Sequence, residues 1–146
     1  MKYLLLVSHG NFSAGLKQTL SMFAGDAANS VISIGLNPDE SADSLEWRFN
    51  DMLENLPDDT SFVVLADIIG GSPLTTVCKV LSKRNKLDGT LVLGGMNFPM
   101  ALTTLMGKDT MSNEDLKAQA LQEAGAAMKE FNLPAASAAD DDEDDI

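Results

Sequence analysis

Leu4-Leu5-Leu6-Val7-Ser8-His9-Gly10 is the stretch on which the fold turns. A short unbroken apolar run that stops at a polar turn reads as a strand buried on both faces. Phe12, Leu16, Leu20 and Phe23 follow at helical spacing, and Gly25 is a helix stop. The unit is strand, turn, helix, and it recurs. Val31, Ile32 and Ile34 form a second, β-branched strand; after the turn signal Asn37-Pro38-Asp39, Leu45, Phe49, Met52, Leu53 and Leu56 mark one face of a second helix. Residues 62–66 are a third apolar strand. It runs through Asp67-Ile68-Ile69-Gly70-Gly71 into Ser72, which suits a helix N-cap, and Pro73, which suits the first helical position of a helix ending near Arg84. Residues 90–93 are a fourth strand, followed by Gly94-Gly95-Met96-Asn97-Phe98-Pro99 and a short helix from Pro99 to Met106. Ser112 with Asp115 forms a capping pair for a last helix toward Phe131.

Four apolar strands alternating with helices predict an α/β fold: a doubly wound, mostly parallel sheet covered on both faces. The chain has 146 residues, enough for one well-packed core. We assign residues 1–133 to this domain. From residue 134 the composition turns to Ala and Ser and then to six consecutive acids over residues 140–145, which reads as a flexible tail.

The net charge is −12, and −6 without those six acids. Neither value suits a grip on nucleic acid or on an anionic membrane surface. Cys78 is the only cysteine, which excludes an internal disulfide framework and a cysteine metal site. No apolar run is long enough for a membrane span and no signal peptide is recognisable, so a cytoplasmic protein is expected. One histidine and two arginines exclude any mechanism that needs paired histidines or an arginine cluster. No metal and no cofactor is expected. Cys78, Met22 and Met52 read as core packing groups, and Trp47 sits one residue off the apolar face of the second helix.

Ligands of open α/β sheets bind outside the carboxyl ends of the strands, where strand order reverses. His9 follows the first strand, Asp67 the third and Asn97 the fourth. If the strand order is 2-1-3-4, as expected for such a sheet, the first and third strands are neighbours and His9 and Asp67 can come within hydrogen-bond reach. A carboxylate that accepts the proton of one ring nitrogen fixes the tautomer and leaves the other nitrogen as a nucleophile. Gly70, Gly71 and Ser72 precede a helix, whose free N–H groups and dipole favour an anion such as a phosphoryl group. Gly10, Met96, Asn97 and Phe98 are expected to line the crevice. Plainer readings stand beside these: a structural histidine at a strand end, Asp67 as a loop cap, and Gly70-Gly71-Ser72-Pro73 as no more than a helix start.

Taken together, Ser8-His9-Gly10, Asp67 with Gly70-Gly71-Ser72-Pro73, and Gly95-Met96-Asn97-Phe98-Pro99-Met100 are specific. Over about residues 1–131 the chain resembles the IIA domains of the mannose family of the bacterial phosphoenolpyruvate-dependent sugar phosphotransferase system. The resemblance implies that His9 accepts a phosphoryl group through its Nε2 from the phosphocarrier HPr and passes it to a IIB component. It implies that Asp67 holds the other ring nitrogen, that Ser72 helps bind the phosphoryl group, and that the membrane IIC and IID components are served indirectly. It also implies a homodimer with an exchanged antiparallel edge strand, for which residues 128–133 are the candidate, although residues 124–130 read equally well as helix. The rival reading is a flavodoxin-like module binding phosphate or flavin through residues 8–13. Its weakness is that Trp47 and Tyr3 lie within elements and not in crevice loops. A receiver domain lacks the acidic pair it needs after the first strand, and a histidine phosphatase lacks its second histidine.

Overall fold

Leu4, Leu5, Leu6 and Val7 are wholly buried, and the topology explains why. In the computed structural model, which describes residues 1–134, β1 (Lys2–His9) is flanked by β2 (Val31–Leu36) and β3 (Ser61–Ala66). β4 (Leu91–Leu93) lies beyond β3, giving the predicted order β2-β1-β3-β4. All three pairings are parallel, with His9 opposite Leu36 and Val7 opposite Ala66. Parallel strands share one carboxyl edge, so the turns after β1, β2, β3 and β4 emerge side by side.

Alternate residues of the central strands feed two cores. Leu4, Leu6, Val63 and Leu65 pack against α1 (Phe12–Ala24), α4 (Phe98–Gly107) and α5 (Asn113–Ala126) through Leu16, Leu20, Met100, Leu105 and Leu116. Leu5, Val7, Phe62 and Val64 pack against α2 (Ala42–Glu54) and α3 (Ser72–Lys83) through Leu45, Phe49, Val77 and Leu81. Each leucine so buried contributes about 1.5–3 kcal/mol relative to exposure. The carboxyl edge is thereby held on a stiff platform. Cys78 is half-buried on the α3 side, where burial pushes its thiol pKa up, in keeping with a packing role.

Several expectations need correction. Gly71, not Ser72, occupies the N-cap of α3, with extended backbone (ψ 160°) and no side-chain cap; Ser72 is the first helical residue, and Pro73 stays in the first turn. Met22 is 67% exposed, because only Ser13, Leu16 and Leu20 of α1 turn inward to full burial. A six-residue 3-10 helix, Gly25–Ser30, fills the space between α1 and β2, and its run of small and polar residues has no periodic apolar signal. α5 ends at Ala126, short of Phe131, since its buried stripe of Leu116, Ala120 and Ala124 stops there. Residues 128–133, the candidate for an exchanged strand, belong to neither helix nor strand in this chain, and Met128, Phe131 and Leu133 are exposed. The acidic tail lies outside the described residues. Among the described residues no helix is long and apolar enough to cross a membrane.

Candidate active site

The turn after β1 is shaped by Gly10, whose φ of +57° lies in the left-handed region that favours glycine. Its N–H donates to the Leu36 carbonyl (2.8 Å), carrying the β1–β2 ladder one residue past His9. On the other side β3 runs straight into Asp67, whose N–H donates to the Val7 carbonyl (3.1 Å). The two strand ends therefore present His9 and Asp67 to each other.

One carboxylate oxygen of Asp67, Oδ2, accepts both the His9 backbone N–H (2.9 Å) and the ring Nδ1 (2.8 Å). The other, Oδ1, accepts the N–H of Ile68 (2.9 Å). Partial burial pushes the Asp67 pKa up, but the donors from His9 and Ile68 outweigh it, and the carboxyl sits below its ordinary value. An ionised carboxylate is acceptor-only, so the proton between the groups resides on Nδ1, and Nε2 carries the lone pair. The His9 side chain is 47% exposed, and Nε2 makes no hydrogen bond among the described residues.

The start of α3 closes on the ring. Gly70, with φ of +91°, makes the bend, and Gly71 lies so close that a Cβ there would fall 2.8 Å from His9 Cε1. The first intrahelical bond runs from the Thr75 N–H to the Gly71 carbonyl (3.1 Å), so the N–H groups of Ser72 and Leu74 precede it. The helix that carries these donors and the positive dipole end begins beside the imidazole, an arrangement suited to a tetrahedral anion. A methyl group at residue 71 would push the ring off Asp67. Gly71→Ala is expected to displace the ring and disturb the His9 Nδ1–Asp67 bond while the melting temperature changes little, as ring ¹⁵N spectra and thermal melts will show.

The remaining predicted residues are arranged differently. Met96 donates its N–H to the Ala66 carbonyl (2.9 Å), which ties the post-β4 loop to the end of β3, and its side chain is buried. Asn97 is engaged at both ends of its amide: Oδ1 accepts the Met100 N–H as the N-cap of α4, and Nδ2 donates to the Ala124 carbonyl of α5, each at 3.0 Å. Phe98 packs against Phe23 with ring centroids 4.7 Å apart and the rings tilted by 51°. Met96, Asn97 and Phe98 line a groove of about 620 Å³ with Asn11, Phe12 and Leu16, and neither His9 nor Asp67 lines it. Trp47 projects from α2, 68% exposed, and Tyr3 lies near the start of β1, so neither stands in a loop at the carboxyl edge.

Two features were missed. Ser13 is buried; its N–H donates to Ser8 Oγ (2.8 Å) and its Oγ to the Ile34 carbonyl (3.1 Å). A Cβ on Gly35 would collide with the Gly10 carbonyl oxygen. The available signal was a glycine closing a β-branched strand, a sign of close backbone approach. Among the described residues no group of three or more His, Cys, Asp or Glu is placed to hold a metal ion.

The geometry accords with comparisons to known proteins. The family model described as PTS system fructose IIA component matches residues 3–121. The chain is 24% identical over 112 residues to the PTS system fructose-specific EIIA component of Bacillus subtilis (strain 168), covering 77% of this chain and 74% of that one. It is 29% identical over 106 residues to the PTS system mannose-specific EIIAB component of Escherichia coli (strain K12), covering 73% of this chain but 32% of the other, so it spans about a third of that relative's length. The solved structure of the PTS IIA protein associated with the fucose utilization operon from Streptococcus pneumoniae is similar with a TM-score of 0.70 and 31% identity, covering 90% of this chain and 92% of that one. With four-fifths of its length matched by the family model and the same parallel sheet beneath the histidine, the chain belongs to the mannose-type IIA family of the sugar phosphotransferase system.

Proposed function

We propose that the protein is a phosphoryl carrier that accepts the group from phospho-HPr on His9 and delivers it to a IIB component in the cytoplasm, which serves the membrane IIC and IID components indirectly. The observation that carries this reading is the 2.8 Å bond between His9 Nδ1 and Asp67 Oδ2, with Nε2 open beside the start of α3. The Nε2 lone pair attacks phosphorus and forms the new N–P bond, while the bond from phosphorus to the donor breaks and its electron pair leaves with the donor. Nδ1 keeps its proton, so the ring becomes positively charged, and the Asp67 carboxylate balances that charge. The N–H groups at the start of α3 and the Ser72 hydroxyl receive the phosphoryl oxygens. Delivery to IIB is the same displacement in reverse.

Incubation with phosphoenolpyruvate, enzyme I and HPr tests the reading. One acid-labile, base-stable phosphoryl group per chain is expected, removed on addition of a cognate IIB. No label, or a base-labile one, would overturn it.

A homodimer is part of the proposal. Among the described residues β4 pairs on one edge, with β3, and Met128, Phe131 and Leu133 leave apolar surface exposed after α5. Sedimentation equilibrium is expected to read the mass of two chains.

A further inference from the structure

Three successive carbonyls at the end of β2 are each held by a different group from beyond that strand. Ile34 accepts from Ser13 Oγ (3.1 Å), Gly35 from the Arg48 guanidinium (2.7 Å), and Leu36 from the Gly10 N–H (2.8 Å). Ser13 also donates its own N–H to Ser8 Oγ, so one buried residue ties the first turn of α1 to β1 and β2 together.

Arg48 makes a second tie. Its guanidinium grips Glu40 in a fork, Nε to Oε2 at 2.7 Å and Nη2 to Oε1 at 2.6 Å, while the same Nη2 donates to the Gly35 carbonyl. Glu40 further accepts the Asn37 N–H (3.1 Å) and the Ser44 hydroxyl (2.8 Å). Its side chain is 7% exposed, and the Arg48 bond first among these contacts lowers its pKa to about 2. The loop after β2 is thus closed by one ion pair. The absence of a Cβ on Gly35 lets this strand end lie flush against the Gly10 carbonyl. The His9–Gly10 turn is held between that frame on one side and Asp67 on the other.

We propose that Ser13 and Arg48 are positioning residues for His9, acting through the end of β2 to hold the turn and aim the ring. The inference rests on the reading of His9 as phosphoryl acceptor. Neither side chain hydrogen-bonds the imidazole. Each acts on backbone that the imidazole hangs from, and transfer between two proteins tolerates little error in the direction of Nε2. A misplacement of about 1 Å at a reacting atom costs on the order of 100-fold in rate, and a partly released turn costs a fraction of that.

Ser13→Ala and Arg48→Met, made separately in the full chain, test the proposal. The maximal rate of phosphoryl uptake at saturating phospho-HPr is expected to fall about 5- to 30-fold, with KM within about twofold of wild type. The ¹⁵N signals of the unphosphorylated His9 ring are expected to shift toward a mixture of tautomers. Arg84→Met is the control: Arg84 joins α3 to Asn50 and Glu54 of α2, and its loss is expected to lower the melting temperature without moving rate or ring signals. The Arg48 side chain is 37% exposed, and the Glu40 left behind keeps the Asn37 N–H and the Ser44 hydroxyl as donors, so Arg48→Met is compatible with folding even if Ser13→Ala is not. Wild-type rates and ring signals in folded Arg48→Met, or changes no larger than in Arg84→Met, would overturn the proposal. A wild type that takes up no phosphoryl group would instead overturn the carrier reading, because the ring signals are read without phosphorylation.

Discussion

The chain carrying His9→Ala is expected to take up no phosphoryl group from phospho-HPr and to keep its fold. His9 is the single histidine among 146 residues, so no second imidazole can take over. The fold survives because the ring is 47% exposed and packs in neither core. Asp67 also remains satisfied without it, still accepting from the backbone N–H groups of residue 9 and Ile68. Two other nucleophiles lie near, the Asp67 carboxylate and the Ser72 hydroxyl, and their products are chemically distinct. An acyl phosphate is cleaved by hydroxylamine and base, and a phosphoserine survives acid, whereas a phosphohistidine is lost in acid and survives base. Label counting with the three treatments, alongside circular dichroism, therefore checks both the loss and its cause. Undiminished acid-labile label in the variant would sink the assignment.

Asp67→Asn is expected to slow phosphoryl uptake about ten- to a thousandfold, less than the ~10⁴-fold loss that follows when a carboxylate orienting a catalytic histidine is replaced, because no hydroxyl proton has to be removed here. The geometry makes asparagine a poor substitute for a reason beyond charge. Both carboxylate oxygens of Asp67 accept backbone N–H groups, Oδ2 from His9 and Oδ1 from Ile68, and Oδ2 takes the ring as well. An amide has one acceptor and one donor end. If its NH2 faces His9, it meets one backbone donor and drives the ring to the wrong tautomer; if it faces Ile68, the ring keeps an acceptor but loses the negative charge that balances it during transfer. Either orientation leaves a donor opposed to a donor. A residue that served only to cap the loop would tolerate asparagine. Rapid-quench rates with a ring ¹⁵N spectrum separate the cases, and equal rates in folded protein would remove Asp67 from the chemistry.

The carboxylate shift has a stability consequence of its own. Because the Asp67 pKa is lower folded than unfolded, its contribution is present above the ordinary carboxylate range and lost as pH falls through the depressed value. Glu40 behaves the same way, with its loss completed near pH 2. Acid therefore releases both supports of the His9 turn.

Local pattern was enough for much of this molecule. An apolar run of strand length, a helical spacing and a turn signal are each properties of a few neighbouring residues, so four strands, five helices and a mostly parallel sheet were readable directly from the chain. The shared carboxyl edge follows from parallel pairing; the meeting of His9 and Asp67 on it further needs β1 beside β3, the order that the sequence reading assumed and the tertiary structure has. The edges of elements were harder, because caps depend on backbone angles: Gly71 took the N-cap expected of Ser72, and α5 stopped where its buried stripe ran out.

Clearances and cross-element hydrogen bonds belong to another level. That Gly71 abuts the imidazole, that Gly35 abuts Gly10, that Ser13 reaches Ile34, and that Asn97 is used up between α4 and α5 all depend on distances between segments remote in the chain. Hydrophobic periodicity carries which face of an element is buried, with a tolerance of a residue or so. It carries nothing about ångström-scale contact between two backbones, because that distance is the outcome of packing every side chain between them. Composition and spacing thus settle which segments meet at the carboxyl edge, whereas the aim of the histidine within it is settled by the close-packed platform beneath.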